Sequence, residues 1–182
     1  MDYKYSVAEE RRAMSLEDRN KALAHFGLSN PREWEVLSWR ERTYETPLVY
    51  GRPDWVIHNW KSHQVVVVKE FERVLAGADP LPTEQYEAVA LGLLVGDVLE
   101  DEFETRPEVS VRLSYADGAV MEVQWNEADV ERVDDAAHEA GCASYFLGWT
   151  EKLDHMVDVR LLARYLGDPN IGNPAPAGGP HQ

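Results

Sequence analysis

Asp54-Trp55-Val56-Ile57-His58-Asn59-Trp60-Lys61-Ser62-His63-Gln64-Val65-Val66-Val67-Val68-Lys69-Glu70-Phe71-Glu72-Arg73-Val74-Leu75-Ala76-Gly77 is the stretch on which the fold turns. Two readings compete for it. Val56, Trp60, His63, Val67, Phe71 and Val74 recur at three- and four-residue spacing, which makes one stripe of a helix. Val65 to Val68 is instead a β-branched run with strand propensity. The stripe covers more residues, and Glu70 to Ala76 suits a helix. The spacing therefore predicts a helix closed by Gly77.

Working upstream, Thr46 to Pro53 holds two prolines and Gly51, the composition of a loop or short edge strand. Asn30-Pro31-Arg32-Glu33 reads as a helix start: a capping side chain, a proline at the first helical position and a glutamate reaching back. That helix would carry Trp34, Leu37 and Trp39 and fade near Thr43. Ser15-Leu16-Glu17-Asp18 opens an earlier helix that ends at Phe26-Gly27.

Downstream, Pro80 and Pro82 precede Thr83, read as the cap of a helix to Phe103 with Glu84 and Glu87 at the positive end of its dipole. Ala88 to Val95 is apolar on every side, so this helix belongs in the middle of the fold. Gly92 and Gly96 would let another element approach it closely. Val109, Val111, Leu113 and Tyr115 then alternate with polar residues, as do Met121, Val123 and Trp125. A three-residue Ala116-Asp117-Gly118 loop, Gly118 left-handed, places both apolar sets on one face by pairing Leu113 with Met121 and Val109 with Trp125. Asn126 caps a helix from Glu127 to Ala140 that Gly141 stops. Ser144 to Trp149 reads as a third strand or extended link, and Thr150 opens a last helix to Tyr165. The expected fold is α+β: a predominantly helical single domain over residues 1–167, with a small antiparallel sheet (109–125) packed on a buried central helix (83–103). Residues 168–182 form a Pro/Gly-rich tail expected to be disordered.

Composition limits the function classes. The chain has 182 residues, 44% hydrophobic, with 18 Lys+Arg against 33 Asp+Glu and a net charge of −15. Such acidity argues against direct nucleic-acid binding. The longest apolar run is too short to span a membrane, and no basic stretch leads into an apolar one near Met1. With the single Cys142, this points to a cytoplasmic protein. The charge is segregated. Residues 1–77 hold 12 basic and 12 acidic side chains, so the whole imbalance lies in residues 78–182.

Those acids supply the leading candidate surface: Glu100, Asp101, Glu102 and Glu104 at the end of the 83–103 helix, and Glu127, Asp129, Glu131, Asp134, Asp135 and Glu139 along the next. Four carboxylates at a helix C-terminus oppose the macrodipole, an arrangement that stability does not ask for. A field of one sign steers a basic partner. The expected function is a protein-interaction or inhibitory module, neutralising a basic toxin or mimicking a nucleic acid. The alternative is a small hydrolase, with a pocket at Trp55, His58, Asn59 and Trp60 or a metal held by Asp134, His138, Asp154, His155 and Asp158. His138 also stands one turn before Cys142, the spacing of a thiol and its base. No phosphate loop or zinc motif is present, and no cofactor is expected.

Overall fold

The computed structural model describes residues 14–146 and 156–168. Within them lie four α-helices and eight strands in two sheets, so the chain is a mixed α+β protein and not a predominantly helical one. The correction begins in the quoted stretch. Trp55–Asn59 (β4) and Gln64–Phe71 (β5) are antiparallel strands about a tight turn, not one helix. Val65, Val66, Val67 and Val68 are each at most 2% exposed. Burying a valine is worth about 2 kcal/mol, more than any per-residue difference in helix propensity among residues other than proline. A strand covered on both faces loses polar alternation and reads as a continuous apolar run.

Trp34–Trp39 is likewise a strand (β1), paired antiparallel to β4. The Asn30-Pro31 signal starts only a 3-10 turn, Pro31–Glu33, with Asn30 left-handed at φ 58°. Short strands follow at Tyr44–Glu45 (β2) and Val49–Gly51 (β3). The first helix, α1, spans Leu16–His25, and the Ser15 hydroxyl accepts from the Asp18 amide at 3.0 Å as its cap.

The buried helix α2 spans Pro82–Phe103, with Pro82 in its first turn. Glu84 is no exposed dipole acid; it accepts from the Leu81 amide and the Tyr115 hydroxyl, and Arg73 grips both its oxygens. Burial pushes its carboxyl up, but these donors outweigh burial and hold it below the usual carboxylate range. The hairpin Glu108–Tyr115 (β6) and Val120–Val123 (β7) has the expected register, Leu113 opposite Met121, with Gly118 at φ 82°. It is not an isolated sheet. Strand β6 runs parallel to β5, making α2 the crossover of a βαβ unit in a five-stranded sheet ordered β1-β4-β5-β6-β7.

This sheet separates two cores. On one face α2 packs with Val56, Val65, Val67, Val111 and Leu113. On the other, Leu23, Phe26 and Leu28 of the α1 region meet Trp34, Trp55, Ile57, Val66 and Val68. Beyond α2 lie α3, Glu127–Phe146, and α4, Val159–Gly167. Helix α3 runs through Gly141, so Ser144 to Phe146 are helical rather than extended. Before α4, Val157–Asp158 (β8) pairs in parallel with β3, completing a small sheet ordered β2-β3-β8. The last helix thus starts at Val159 in these residues, capped by Asp158. Its expected opening at Thr150 and the expected tail from Pro169 onward lie outside the described residues.

Candidate functional site

Because side chains on a strand alternate, Trp55 and His58 point to opposite faces of the large sheet. Trp55 joins the α1 core, where its indole Nε1 donates to Glu70 Oε1 at 3.0 Å. His58 lies on the α2 side, stacked on Phe103, its Nε2 3.2 Å from His63 Nδ1. Asn59 is buried and its side-chain oxygen accepts from the Lys61 and Ser62 amides, fixing the β4–β5 turn. Trp60 is 64% exposed. The structure therefore does not bring the four together into one pocket. What it does bring together is His58 with His63, and burial, then the neighbouring His63, lowers the His58 pKa.

Trp60 instead borders a groove of about 680 Å³ beside β1, with Trp34, Val36 and Trp39 along it and Arg19 and Arg32 at its side. The Trp39 indole nitrogen is buried there with no hydrogen-bond acceptor among the described residues.

The acids divide into two groups. At the end of α2 much of the charge is compensated: Arg106 bridges Asp97 at 2.6 Å and Glu100 at 2.8 Å, and Arg42 pairs with Glu102. Asp101 and Glu104 are exposed, with Glu104 in the left-handed cap position at φ 58°. On α3, Glu127, Glu131, Asp134, Asp135 and Glu139 are exposed and, among the described residues, none enters an ion pair. Arg132, the cation on that helix, donates to the Tyr86 hydroxyl at 3.0 Å. Asp129 is half-buried and works as a cap, exchanging hydrogen bonds with Asn126 in both directions.

The metal constellation is only partly in view. The His138 ring engages the Asp134 backbone carbonyl at 2.8 Å rather than its carboxylate. Asp158 accepts from the Arg160 amide and pairs with its guanidinium at 2.8 Å, which together hold its carboxyl low against burial. Asp154, His155 and the Cys142 side chain lie outside the described residues. Among those described, no three His, Cys, Asp or Glu side chains converge as a metal set would. The His58, His63 and His138 rings bond to each other and to backbone carbonyls, not to a serine, threonine or cysteine among the described residues.

No family model, curated protein or solved structure matches the chain. No helix among the described residues is long and apolar enough to cross a membrane.

Sequence reading missed one polar cluster altogether. Asp54, Lys69, Glu87 and Asp158, remote in the chain, surround a cleft of about 290 Å³ between β3, β5, α2 and α4. The available signal was Glu87, placed one position before the Ala88–Gly96 apolar run and one helical turn before Leu91. A carboxylate on that face of a buried helix needs a partner inside the fold.

Proposed function

We propose that the chain is a protein-interaction module, of an inhibitory kind, that presents the outer face of α3 to a basic partner. The observation that carries this is the set of five exposed carboxylates, Glu127, Glu131, Asp134, Asp135 and Glu139, with no ion pair among the described residues. At the end of α2, Arg42 and Arg106 engage Asp97, Glu100 and Glu102 and leave Asp101 and Glu104 unpaired among the described residues, so the free carboxylates are more numerous on α3. Spaced over more than three turns of one helix, these carboxylates match a row of lysines and arginines, or the phosphate row that such a surface reads. Candidate partners are a basic toxin or a nucleic-acid-binding protein, and a cytoplasmic setting fits both. Encounter would be fast and steered, with most of the dependence on salt.

The test compares three proteins as bait in native cell extract. One is the wild type. The second carries Glu131→Lys, Asp134→Lys and Asp135→Lys. The third carries Glu45→Lys, Glu72→Lys and Asp79→Lys, the same charge change away from α3. Wild type and the third protein should retain a basic partner at about 20 mM salt and release it near about 300 mM. The second should not retain it. Equal retention by all three, or retention of partners that are not basic, overturns the proposal.

A further inference from the structure

The open edge of the large sheet, on the α1 side and away from α3, presents a second surface. Strand β1 is the last strand of that sheet, paired to β4 alone among the described residues. Which of its backbone groups face outward follows from its two ends. The Glu33 carbonyl accepts from the Trp60 amide at 3.1 Å, and the Arg40 amide donates to the Asp54 carbonyl at 2.7 Å. Bonded and open pairs alternate along an antiparallel ladder. With the register shift between Val36 and Ser38 counted in, Trp34, Val36 and Trp39 turn their backbone N–H and C=O groups away from β4.

Both ends of this edge are closed. The Trp34 amide turns back to the Pro31 carbonyl, and the Trp34 carbonyl accepts from the Arg19 guanidinium. The Trp39 amide donates to the Glu41 carboxylate at 2.7 Å. Between them, the Val36 N–H and C=O and the Trp39 C=O stay unpaired among the described residues. The groove of about 680 Å³ runs along these groups. Side chains from both faces of β1 line it: Trp34, Val36 and Trp39 from the α1 side, Glu35 and Ser38 from the other. A groove on one face of a sheet would meet only one of these alternating sets, so this one follows the strand edge.

Its charges differ from end to end. At the Trp39 end Arg40 is paired with Glu70 at 2.6 Å, and Glu41 is bound to the Trp39 amide. At the Trp34 end, Arg19 donates to backbone carbonyls and to Asn20, and the exposed Arg32 side chain makes no hydrogen bond among the described residues. Neither arginine enters an ion pair among those residues. Of the acids nearby, Glu33 is held by Lys61 at 3.2 Å and Glu35 lies on the His58 side of the strand. A chain laid antiparallel to β1 brings its C-terminal end to Trp34, where backbone pairing stops and two cations stand without acids. Laid the other way, it would bring that carboxylate to Glu41.

We propose that this groove binds the free C-terminal tail of a partner protein, extended antiparallel to β1, with its α-carboxylate at Arg32 and Arg19. One tail residue exchanges both backbone hydrogen bonds with Val36, and the residue two before it donates to the Trp39 carbonyl. An apolar side chain of the tail rests among Trp34, Trp39 and Trp60, the last held by its indole donating to the Arg32 carbonyl at 3.1 Å. Main-chain pairing supplies affinity in such strand addition, and the side chains that point into the groove supply selectivity.

The probes are hexapeptides labelled at the amino end, with free carboxyl ends and last positions varied among Leu, Val, Phe, Tyr and Asp. Their fluorescence anisotropy is followed in about 150 mM salt, where long-range fields are screened. At least one peptide should bind, and its C-terminal amide should bind at least about tenfold more weakly, as loss of a charge-assisted contact implies. Arg32→Ala, an exposed change that leaves the fold intact, should weaken the free acid by a similar factor. Methylating the peptide amides one at a time should weaken binding at alternate positions, since only every second N–H faces β1. The Glu131→Lys, Asp134→Lys, Asp135→Lys protein should bind the peptide as wild type does, which keeps this outcome separate from that of the α3 face. Absence of binding by every peptide, equal binding of acid and amide, undiminished binding by Arg32→Ala, methylation effects without alternation, or binding lost with the α3 acids overturns it.

Discussion

At the scale of single residues, chemistry here is decided by which face of a strand a side chain takes. His58 shares a face with Val56, which puts it under α2 beside Phe103 and against His63, while Glu35 of β1 is the acid acting on it. Burial, then His63, lowers its pKa below the ordinary value of about 6.5, with Glu35 opposing. The folded chain therefore binds fewer protons here than the unfolded chain does. This contribution is complete above the unfolded value and is lost as pH falls from there through the lowered folded value. Chemical denaturation from pH 7.5 down to pH 5.5 should show stability falling, and His58→Asn should flatten that fall. An identical pH slope in the variant would show that the histidine pair is not responsible. None of this geometry was legible in a helical reading, which set Trp60 and His63 on one stripe and had no reason to bring His63 back against His58.

Elements were legible where one strong rule acted alone. Helix α2 is apolar through its middle and preceded by prolines, and the hairpin keeps its expected register from Val111–Val123 to Ser114–Val120, although the second strand ends at Val123 and does not reach the expected Val109–Trp125 pair. Strand β1 failed for a specific reason: the register shifts between Val36 and Ser38. That bulge lets Trp34 and Trp39, five apart, serve the same α1 side of the sheet, a spacing that regular alternation forbids. Strand β5 failed because its burial on both faces depends on α1 and α2, which local spacing cannot reveal. At Gly92, by contrast, sequence and structure agree on close approach. An added Cβ would lie 2.8 Å from Val111 Cγ2 and 3.0 Å from the Trp125 ring. Helix propensity favours Gly92→Ala by up to about 1 kcal/mol, while overpacking costs about 1–3 kcal/mol. The contacts are with core side chains wedged between α2 and the β6–β7 hairpin, so overpacking wins. Urea unfolding should place the variant about 1 kcal/mol below wild type; a gain in stability would mean that hairpin and helix are free to part.

For the whole molecule, a net charge of −15 is a pull toward expansion, and its cost depends on how the charges are arranged. Ion pairs at Arg42, Arg73 and Arg106 hold acids against the fold, so salt that weakens them lowers stability. The uncompensated α3 face works in the other direction, because salt screens repulsion among like charges along one helix. Exposed pairs are individually worth little, and the acids of the chain outnumber its cations by 33 to 18, so repulsion is the larger effect. The midpoint of thermal unfolding should therefore rise as sodium chloride goes from about 10 to about 200 mM, a range over which the screening length shrinks to the spacing of these side chains. The Glu131→Lys, Asp134→Lys, Asp135→Lys protein should show a flatter rise and a higher midpoint at low salt. Such a result would mean that the fold tolerates this face at a standing cost in stability, which is what a surface kept for a cationic partner entails. If the midpoint instead falls with salt, attraction dominates and the α3 acids impose no such cost.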